Sequence, residues 1–370
     1  MGKYGKRNEV KIDPLRYNIC LLGEPKIGKT SIVKKMLEKL AGQDGYIFLE
    51  MAGEAGADAI EGIVYEDCDT WDDVIDIVED IEDNKTTDYS ELKAIVVDTY
   101  DGWIRLAQEE AILIWNKTHP DKKADTIDAS WNGFQKGQQK AFDLMFDVIT
   151  RLRKVGVATI IIGHVKNREM TDIATGTTYQ TLTSDVEKVY FNLLKKKMHF
   201  LGLAYYDRTI IKEKTGKKNI VTKKEEIVGR ITGESRKIKF RDDNMALDSG
   251  SRFAEIVEEI DFDVDELIKA ITDAIRAEAT KGSKSIEELE VEQKAAEEKR
   301  MEKVAEAEKE RREKKELDAV NAKIAAYVQE HRTDTDKLKA LSAESKKYGF
   351  SNPLKITDIE AAKSVLSLIA

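Results

Sequence analysis

The chain has 370 residues and a net charge of −9, and it is 35% charged but only 7% aromatic. No stretch approaches the roughly 20 apolar residues of a bilayer-spanning helix, and the basic N-terminal segment lacks the apolar core of a secretory signal. We therefore expect no membrane partner and a cytoplasmic location. Cys20 and Cys68 are the only cysteines. Because Cys20 falls in a predicted buried strand, we expect no disulfide.

The charge is unevenly distributed. Residues 61–83 carry eleven acidic side chains and no basic one, whereas residues 187–224 carry eleven Lys or Arg against three acids, a local balance of +8. Such asymmetry lets an acidic protein bind a polyanion on one face. An ordinary solvated surface is the alternative interpretation.

The first part of the chain alternates apolar strands with amphipathic helices. We expect residues 1–14 to form a mobile arm and residues 15–255 to form an α/β domain with a mostly parallel sheet, because its strand patterns are nearly all apolar. Met198–Tyr206 and Arg230–Arg241 are predicted to extend the sheet in antiparallel fashion. The clearest strand patterns are Tyr17–Leu22, Tyr46–Leu49, Ala94–Asp98 and Ala158–Gly163.

The remainder of the chain is predicted to be helical. Residues 256–316 form a charged helical extension, with an amphipathic helix over Phe262–Glu278 and a long solvated helix over Lys284–Glu316. Residues 317–370 regain apolar positions and are expected to form a small helical module. Its final helix is predicted to open with a capping box, Thr357 to Glu360.

The most specific motif is GEPKIGKT, residues Gly23–Thr30, which matches the P-loop pattern G-x-x-x-x-G-K-[ST]. It lies between the apolar strand Tyr17–Leu22 and a helical pattern over Ser31–Leu40, which is the structural context that the motif requires. Backbone N–H groups and the helix N-terminus can then surround phosphate oxygens. The motif predicts a site for ATP. The predicted nucleotide-binding residues are Gly23, Glu24, Pro25, Lys26, Ile27, Gly28, Lys29, Thr30 and Ser31.

A second element predicts how Mg²⁺ is held. Lys29 is expected to neutralise the β- and γ-phosphates and to face solvent when no ligand is bound, while the Thr30 hydroxyl ligates Mg²⁺. Asp98 ends the apolar strand Ala94–Asp98, as a Walker B aspartate does, and is expected to hold Mg²⁺ through water.

Hydrolysis also needs a group that orients or deprotonates water. Glu54 and Glu50 follow the strand Tyr46–Leu49 and are placed for this work, with Glu54 preferred. His164 lies at the tip of another apolar strand, where a polar group can detect the γ-phosphate. The alternatives are solvated loop acids and a structural histidine.

The order of these parts resembles the RecA-like recombinase core. More closely, the chain resembles the RecA-like ATP-binding proteins of tailed phages, which include the Sak-type single-strand annealing ATPases. The similarity covers about residues 15–255. It is carried by GEPKIGKT, the turn Glu54-Ala55-Gly56, IVVDTYD at Ile95–Asp101, IIIGHVK at Ile160–Lys166, and KIKFRDDNMALDSGSRF at Lys237–Phe253.

The resemblance implies a RecA-type fold, DNA-stimulated ATP hydrolysis, action on single-stranded DNA and, for a phage protein, the host cytoplasm. It places two DNA loops at Asn116–Lys140 and Lys166–Asp185, where aromatic rings and cations suit base stacking and phosphate contact. Core packing is the alternative for the aromatic residues. The candidate DNA-binding residues are Trp131, Phe134, Lys136, Lys140, Lys166, Arg168, Lys195, Lys196 and Lys197.

RecA-like subunits stack into homo-oligomers in which a neighbour completes each ATP site, so we expect a ring or a filament. In the alternating segment Arg236–Arg241, Ile238 and Phe240 are predicted to face the core. Arg241, with Lys239 as the alternate, is then expected to reach the neighbour's γ-phosphate. A solvated strand face or part of a DNA patch is the alternative.

The chain also differs from the recombinases, since His164 stands where they usually have Gln and a long charged helix follows the core. Three functions therefore stay open. The chain could act on single-stranded DNA in recombination or annealing. It could be an ATP-switched adaptor or loader that recruits a replication or recombination protein through residues 254–370. It could also be a nucleotide-binding assembly protein without a DNA role.

Overall fold

The computed structural model describes residues 8–171, 176–218, 225–241 and 247–369. A ten-stranded sheet forms its centre, with the strand order β10-β8-β7-β1-β5-β4-β2-β3, while β6 pairs with β5 and β9 with β7. The strands are β1 (Ile19–Gly23), β2 (Tyr46–Met51), β3 (Tyr65–Cys68), β4 (Ala94–Asp98), β5 (Ala158–Thr171), β6 (Thr178–Ser184), β7 (Phe200–Lys218), β8 (Glu225–Lys239), β9 (Gly250–Ser251) and β10 (Glu259–Asp261).

The central strands of the sheet run parallel. β1 pairs in parallel with β5 and β7 on its two sides, and β4 pairs in parallel with β5 and β2. All residues of β1 and β4 are buried. This burial explains their nearly continuous apolar sequences, because helices cover both faces of such a sheet. The predicted α/β fold with a mostly parallel sheet and C-terminal helices is confirmed.

Among the described residues, six α-helices lie between residues 29 and 279. The helix α1 packs its apolar side into the main core through Val33, Met36 and Leu37. Within the described ranges, no helix is long and apolar enough to cross a bilayer. These helices are α1 (Lys29–Ala41), α2 (Trp71–Asn84), α3 (Tyr100–Thr118), α4 (Lys136–Lys154), α5 (Lys188–Lys195) and α6 (Val264–Ala279).

Two β-hairpins extend past the carboxyl edge of the parallel strands. β5 continues beyond His164, which lies opposite Gly23, and returns antiparallel as β6. β7 continues beyond Ala204 and returns antiparallel as β8. The expected antiparallel extension was therefore wrong for β7, which is parallel to β1 and becomes antiparallel only to its own hairpin partner.

The chain divides into two compact units. The first comprises residues 1–80 and 89–297, and the second comprises residues 81–88 and 298–370. The second unit contains most of α7 (Ile286–Glu330), together with α8 (Thr335–Lys347) and α9 (Ile359–Leu366). The end of α7 packs with α8 and α9 around Val320, Ile324, Leu341 and Val365.

The cap of the last helix differs from the prediction. The Asp358 side chain, not that of Thr357, accepts the hydrogen bond from the Ala361 N–H. A carboxylate one residue later satisfies the same free N–H groups of the first turn, so α9 begins at Ile359.

Candidate nucleotide site

The P-loop joins the buried end of β1 to the start of α1. β1 ends at Gly23 and α1 begins at Lys29. Gly28 has φ of 104°, in the left-handed region where glycine carries no steric penalty. Gly23 permits a close approach to β7, because a Cβ atom there would lie 2.9 Å from the Cβ of Ala204. The loop therefore packs closely against the end of β7 before it enters α1.

Lys29 does not face solvent, so that expectation was wrong. Its side chain is 6% exposed, and Nζ donates hydrogen bonds of 3.1 Å to the carbonyl oxygens of Gly23 and Glu24. Burial lowers the pKa of Lys29, while the charges of Asp98 and Glu54 oppose that shift. The lysine thus lies folded along its own loop, with its ammonium group bonded to the loop's carbonyls.

Thr30 and Asp98 meet directly. The Thr30 hydroxyl donates to Asp98 Oδ2 over 2.7 Å. Asp98 is 3% exposed, and burial raises its pKa although the Thr30 bond and the Lys29 charge act in the other direction. A hydroxyl and a carboxylate held in contact are the pair of oxygen ligands that Mg²⁺ uses beside nucleotide phosphates.

Glu50 and Glu54 occupy different environments. Glu50 lies opposite Asp98 in the register of β2 and β4 and is 2% exposed. Its Oε1 accepts a hydrogen bond from the Ala57 N–H, and burial raises its pKa. Glu54 lies in the loop between Glu50 and Ala57 and is half-exposed. Its charge acts to raise the pKa of both Lys29 and Asp98. Glu50 therefore ties down the loop that carries Glu54.

His164 lies beside two aspartates, Asp101 and Asp185, that the sequence patterns did not identify. Its Nδ1 lies 3.5 Å from Asp101 Oδ1. The nearby Asp101 carboxylate raises the pKa of His164, against burial and the charge of Lys29. The His164 carbonyl accepts from the Asp185 N–H over 3.2 Å, and burial raises the pKa of the Asp185 carboxyl. The histidine therefore couples β5 to the start of α3 at the edge where the P-loop lies.

The donor set fits one Mg²⁺ ion bound together with a triphosphate. Within the described residues, no group of three or more His, Cys, Asp or Glu forms a metal cage. Magnesium in nucleotide sites uses one or two protein oxygens and completes its shell with water and phosphate oxygens. Thr30 and Asp98 are enough for that role.

Lys239 and Arg241 lie away from this cradle within the chain. Lys239 stands opposite Leu203, and the chain runs from there toward the amino end of the parallel strands. Lys239 pairs with Glu258 at 3.1 Å, and Arg241 donates to the Ala254 carbonyl over 3.2 Å. The neighbouring Ile238 and Phe240 are buried as expected. Action on a neighbour's ATP stays a prediction.

The segment Arg236–Arg241 places a different cation, Arg236, against the P-loop. Arg236 Nη1 donates to the Ile27 carbonyl over 3.0 Å, and its guanidinium lies over the ring of Phe262. Sequence reasoning missed both residues. No motif marks them, and only the pairing of β8 with β7 brings them beside the loop.

The first predicted DNA loop presents one aromatic ring and buries much of another. Phe134 is 96% exposed, within a run of five positive φ angles from Trp131 to Gln135. Trp131 is half-buried, donates from Nε1 to the Ala111 carbonyl over 3.0 Å and packs beside Trp115. Lys140 lies over the Trp131 ring at 5.7 Å. Trp131 thus holds the turn that displays Phe134, and both roles in DNA binding stay predictions.

The other predicted DNA contacts fall at opposite edges of the sheet. Lys166 and Arg168 lie on β5 beyond His164, at the carboxyl edge. The three clustered lysines end α5 and follow it, just before β7 begins, so they lie at the amino edge of the sheet. Lys136 is exposed at the start of α4. The three clustered lysines are Lys195, Lys196 and Lys197.

The lysine cluster is partly engaged within the chain. Lys195 pairs with Asp248, and the Lys197 ammonium lies 4.2 Å from the ring centre of Phe146. Lys166 also has a partner, since its Nζ donates to the Asp185 carbonyl over 2.6 Å. That contact joins β5 to the residue that follows β6.

Comparison with known proteins gives one family. A family model described as an AAA domain matches residues 15–233, which is more than half of the chain. The match includes the P-loop, Asp98, both glutamates and His164. A comparison with curated proteins gives no match.

Proposed function

We infer that this chain, which belongs to the AAA-domain family of P-loop NTPases, hydrolyses ATP and couples that hydrolysis to binding of single-stranded DNA in recombination or annealing. The proposal includes a RecA-like affiliation with tailed-phage ATPases, which rests on the order of the motifs. It also includes assembly into a homo-oligomer.

The ATP half of the proposal rests on the contact between Thr30 and Asp98. Mg²⁺ bound there with ATP supplies charge neutralisation at the phosphates. Lys29 provides a cation to the same phosphates, and Glu54 orients or deprotonates the attacking water. Glu50 keeps the Glu54 loop in place through the Ala57 N–H.

The DNA half rests on the continuity of β5. One strand carries His164 at the nucleotide edge and, two and four residues later, Lys166 and Arg168 on the projecting hairpin. A shift of His164 on meeting the γ-phosphate would be transmitted along this strand to the basic side chains. Cations on a projecting hairpin suit the phosphates of a single strand without reading its sequence.

A second basic element supports the same assignment. The hairpin of β7 and β8 projects from the same edge, and by sequence its strand residues 207–218 and 225–237 include eight Lys or Arg against five Asp or Glu, a balance of +3. The overall charge of −9 is therefore compatible with DNA binding at this edge.

The test is a fluorescence-anisotropy titration of labelled oligo(dT) over a salt series. We expect binding that weakens steeply with salt. The double variant Lys166→Glu with Arg168→Glu should weaken binding and lower the salt dependence, and the triple reversal of Lys195, Lys196 and Lys197 should weaken it as well. Lys35→Glu, on the exposed side of α1, is the control. Unchanged affinity in both multiple variants would contradict a DNA-binding role for these cations.

An ATP-switched adaptor is the second candidate, and the second compact unit favours it. Its own apolar cluster around Val320, Ile324 and Leu341 is what a recruitment module would need. A chain that ends at residue 297 separates the two functions. If DNA-stimulated hydrolysis persists without residues 298–370, the core carries the DNA role and the second unit is left for recruitment.

A further inference from the structure

We propose that Arg236, supported by the ring of Phe262, is the platform on which the base of the bound nucleotide stacks. The inference rests on the proposed function, since it concerns the same ATP site. It adds a binding element that neither the motifs nor the family match identifies.

The direction of the bound nucleotide follows from the strand order. Thr30 and Asp98 mark the metal and γ-phosphate end of the site, and β4, which carries Asp98, lies on the β5 side of β1. The triphosphate chain must therefore leave the nucleoside on the other side of the P-loop. That side is formed by β7 and β8, and Arg236 lies on β8 opposite Tyr206.

Arg236 and Phe262 both touch the loop at its last glycine. A Cβ atom on Gly28 would lie 3.4 Å from Arg236 Nη1 and 3.5 Å from Phe262 Cε1. Arg236 Nη1 also donates to the Ile27 carbonyl over 3.0 Å. The pair thus borders the end of the P-loop where α1 begins, which is where a nucleoside leaves the phosphate cradle.

The main core and the start of α6 hold Phe262, and with it Arg236, in place. Phe262 packs partly buried against the main core, and its N–H donates to the Arg236 carbonyl over 2.9 Å. Asp263, the next residue, caps α6 by accepting from the Asp265 and Glu266 N–H groups. The ring is therefore held in place by the core and by the start of a helix.

The guanidinium suits a base on its open side. Its Cζ lies 5.0 Å from the ring centre of Phe262, while Arg236 as a residue stays exposed. A planar guanidinium stacks on π systems, and a cation over an aromatic ring is attracted by the ring quadrupole. A base that stacks on Arg236 would complete a three-layer arrangement of base, guanidinium and ring.

The competing role is a brace. Arg236 could simply hold the P-loop through the Ile27 carbonyl, in which case its loss would weaken every ligand of the loop equally. The comparison of Mg·ATP with inorganic tripolyphosphate separates the two roles, because tripolyphosphate has the phosphates without a base.

The experiment measures both dissociation constants by calorimetry on the full chain. Arg236→Ala should weaken Mg·ATP at least about 10-fold, in the range of a lost stacking contact, and change tripolyphosphate affinity less than about 2-fold. Arg236→Lys should behave like Arg236→Ala, because lysine can still donate to the Ile27 carbonyl but offers no plane. Phe262→Leu keeps an apolar contact with the core and should give a smaller loss of the same kind. Arg276→Ala, at an exposed position of α6, is the matched control.

Each outcome decides the proposal. Equal weakening of both ligands assigns Arg236 to the brace role and overturns the platform. An Arg236→Ala chain that binds both ligands like the wild type overturns the platform and the brace alike. If the unaltered chain binds neither ligand, the proposed function itself fails.

Discussion

The hydroxyl of Thr30 donates a 2.7 Å hydrogen bond to Asp98, although 68 residues separate the two in sequence. The contact joins the first turn of α1 to the end of β4, which is two strands away from β1. It places the two side chains proposed to bind Mg²⁺ next to each other at the carboxyl edge of the sheet.

The Thr30 hydroxyl should control the magnesium requirement. Thr30→Val keeps the shape of the side chain but removes the oxygen, so we expect ATP hydrolysis to need at least about 10-fold more Mg²⁺, as losses of metal-site groups commonly cost. Thr30→Ser retains the oxygen and should stay close to the unaltered chain. ATPase rates over a Mg²⁺ series test this. Equal Mg²⁺ dependence in both variants would contradict the assignment.

Glu54 and Glu50 should differ in their effects. Glu54→Gln keeps the shape but cannot accept a proton, so hydrolysis should slow about 10²- to 10⁴-fold while Mg·ATP binding persists. Glu50→Gln should slow it less, because an amide oxygen can still accept from the Ala57 N–H. Single-turnover hydrolysis and nucleotide binding are measured for both. If Glu50→Gln shows the larger loss of hydrolysis, Glu50 is the catalytic acid and the preference for Glu54 was wrong.

His164 should make hydrolysis sensitive to pH. Contact with Asp101 raises its pKa, while burial and Lys29 lower it, and the net direction is upward. The imidazolium that could donate to the γ-phosphate is therefore present at low pH and is lost as pH rises through a pKa above the ordinary histidine value. We expect the rate to fall along that limb.

The control for this profile is His164→Gln, which keeps a neutral donor of similar reach. That variant should lose the high-pH fall while retaining part of the activity. The same limb in His164→Gln would assign the titration to another group, such as Lys29 or Asp185.

Arg241 should act across a subunit interface. Lys29→Ala should abolish hydrolysis in a folded chain, and Arg241→Ala should lower it strongly, because a cation supplied in trans can be worth about 10³- to 10⁵-fold. Mixing the two variants should restore part of the activity, since an intact P-loop then meets an intact Arg241. Activity of the unaltered chain should rise more than linearly with its concentration. No recovery from variants shown to assemble together would contradict the trans arrangement.

The elements that sequence could predict are those with local causes. The P-loop, the strand that ends at Asp98 and the helix α6 follow from short patterns of apolar residues, glycines and caps. The contact between Asp101 and His164, by contrast, depends on which strands are neighbours in the sheet. Periodicity within a segment does not encode that order.

The wrong predictions for Lys29 and β7 both concern partners that a local sequence pattern does not specify. Lys29 was expected in solvent, but its ammonium bonds to the carbonyls of Gly23 and Glu24, a choice of local partner that the motif does not specify. β7 is predicted to be antiparallel to the core but is parallel to β1, because the apolar sequence of a strand does not determine the direction of its pairing. Arg236 escaped notice because its contact with Ile27 spans 209 residues.

The most direct test of the account is the ATPase rate of the full chain with and without single-stranded DNA, at fixed Mg²⁺ and low salt. We predict clear hydrolysis that increases when oligo(dT) is added, and that loses this increase in the variant with Lys166→Glu and Arg168→Glu. Hydrolysis that is indifferent to single-stranded DNA in the unaltered chain would contradict the coupling of this ATP site to DNA.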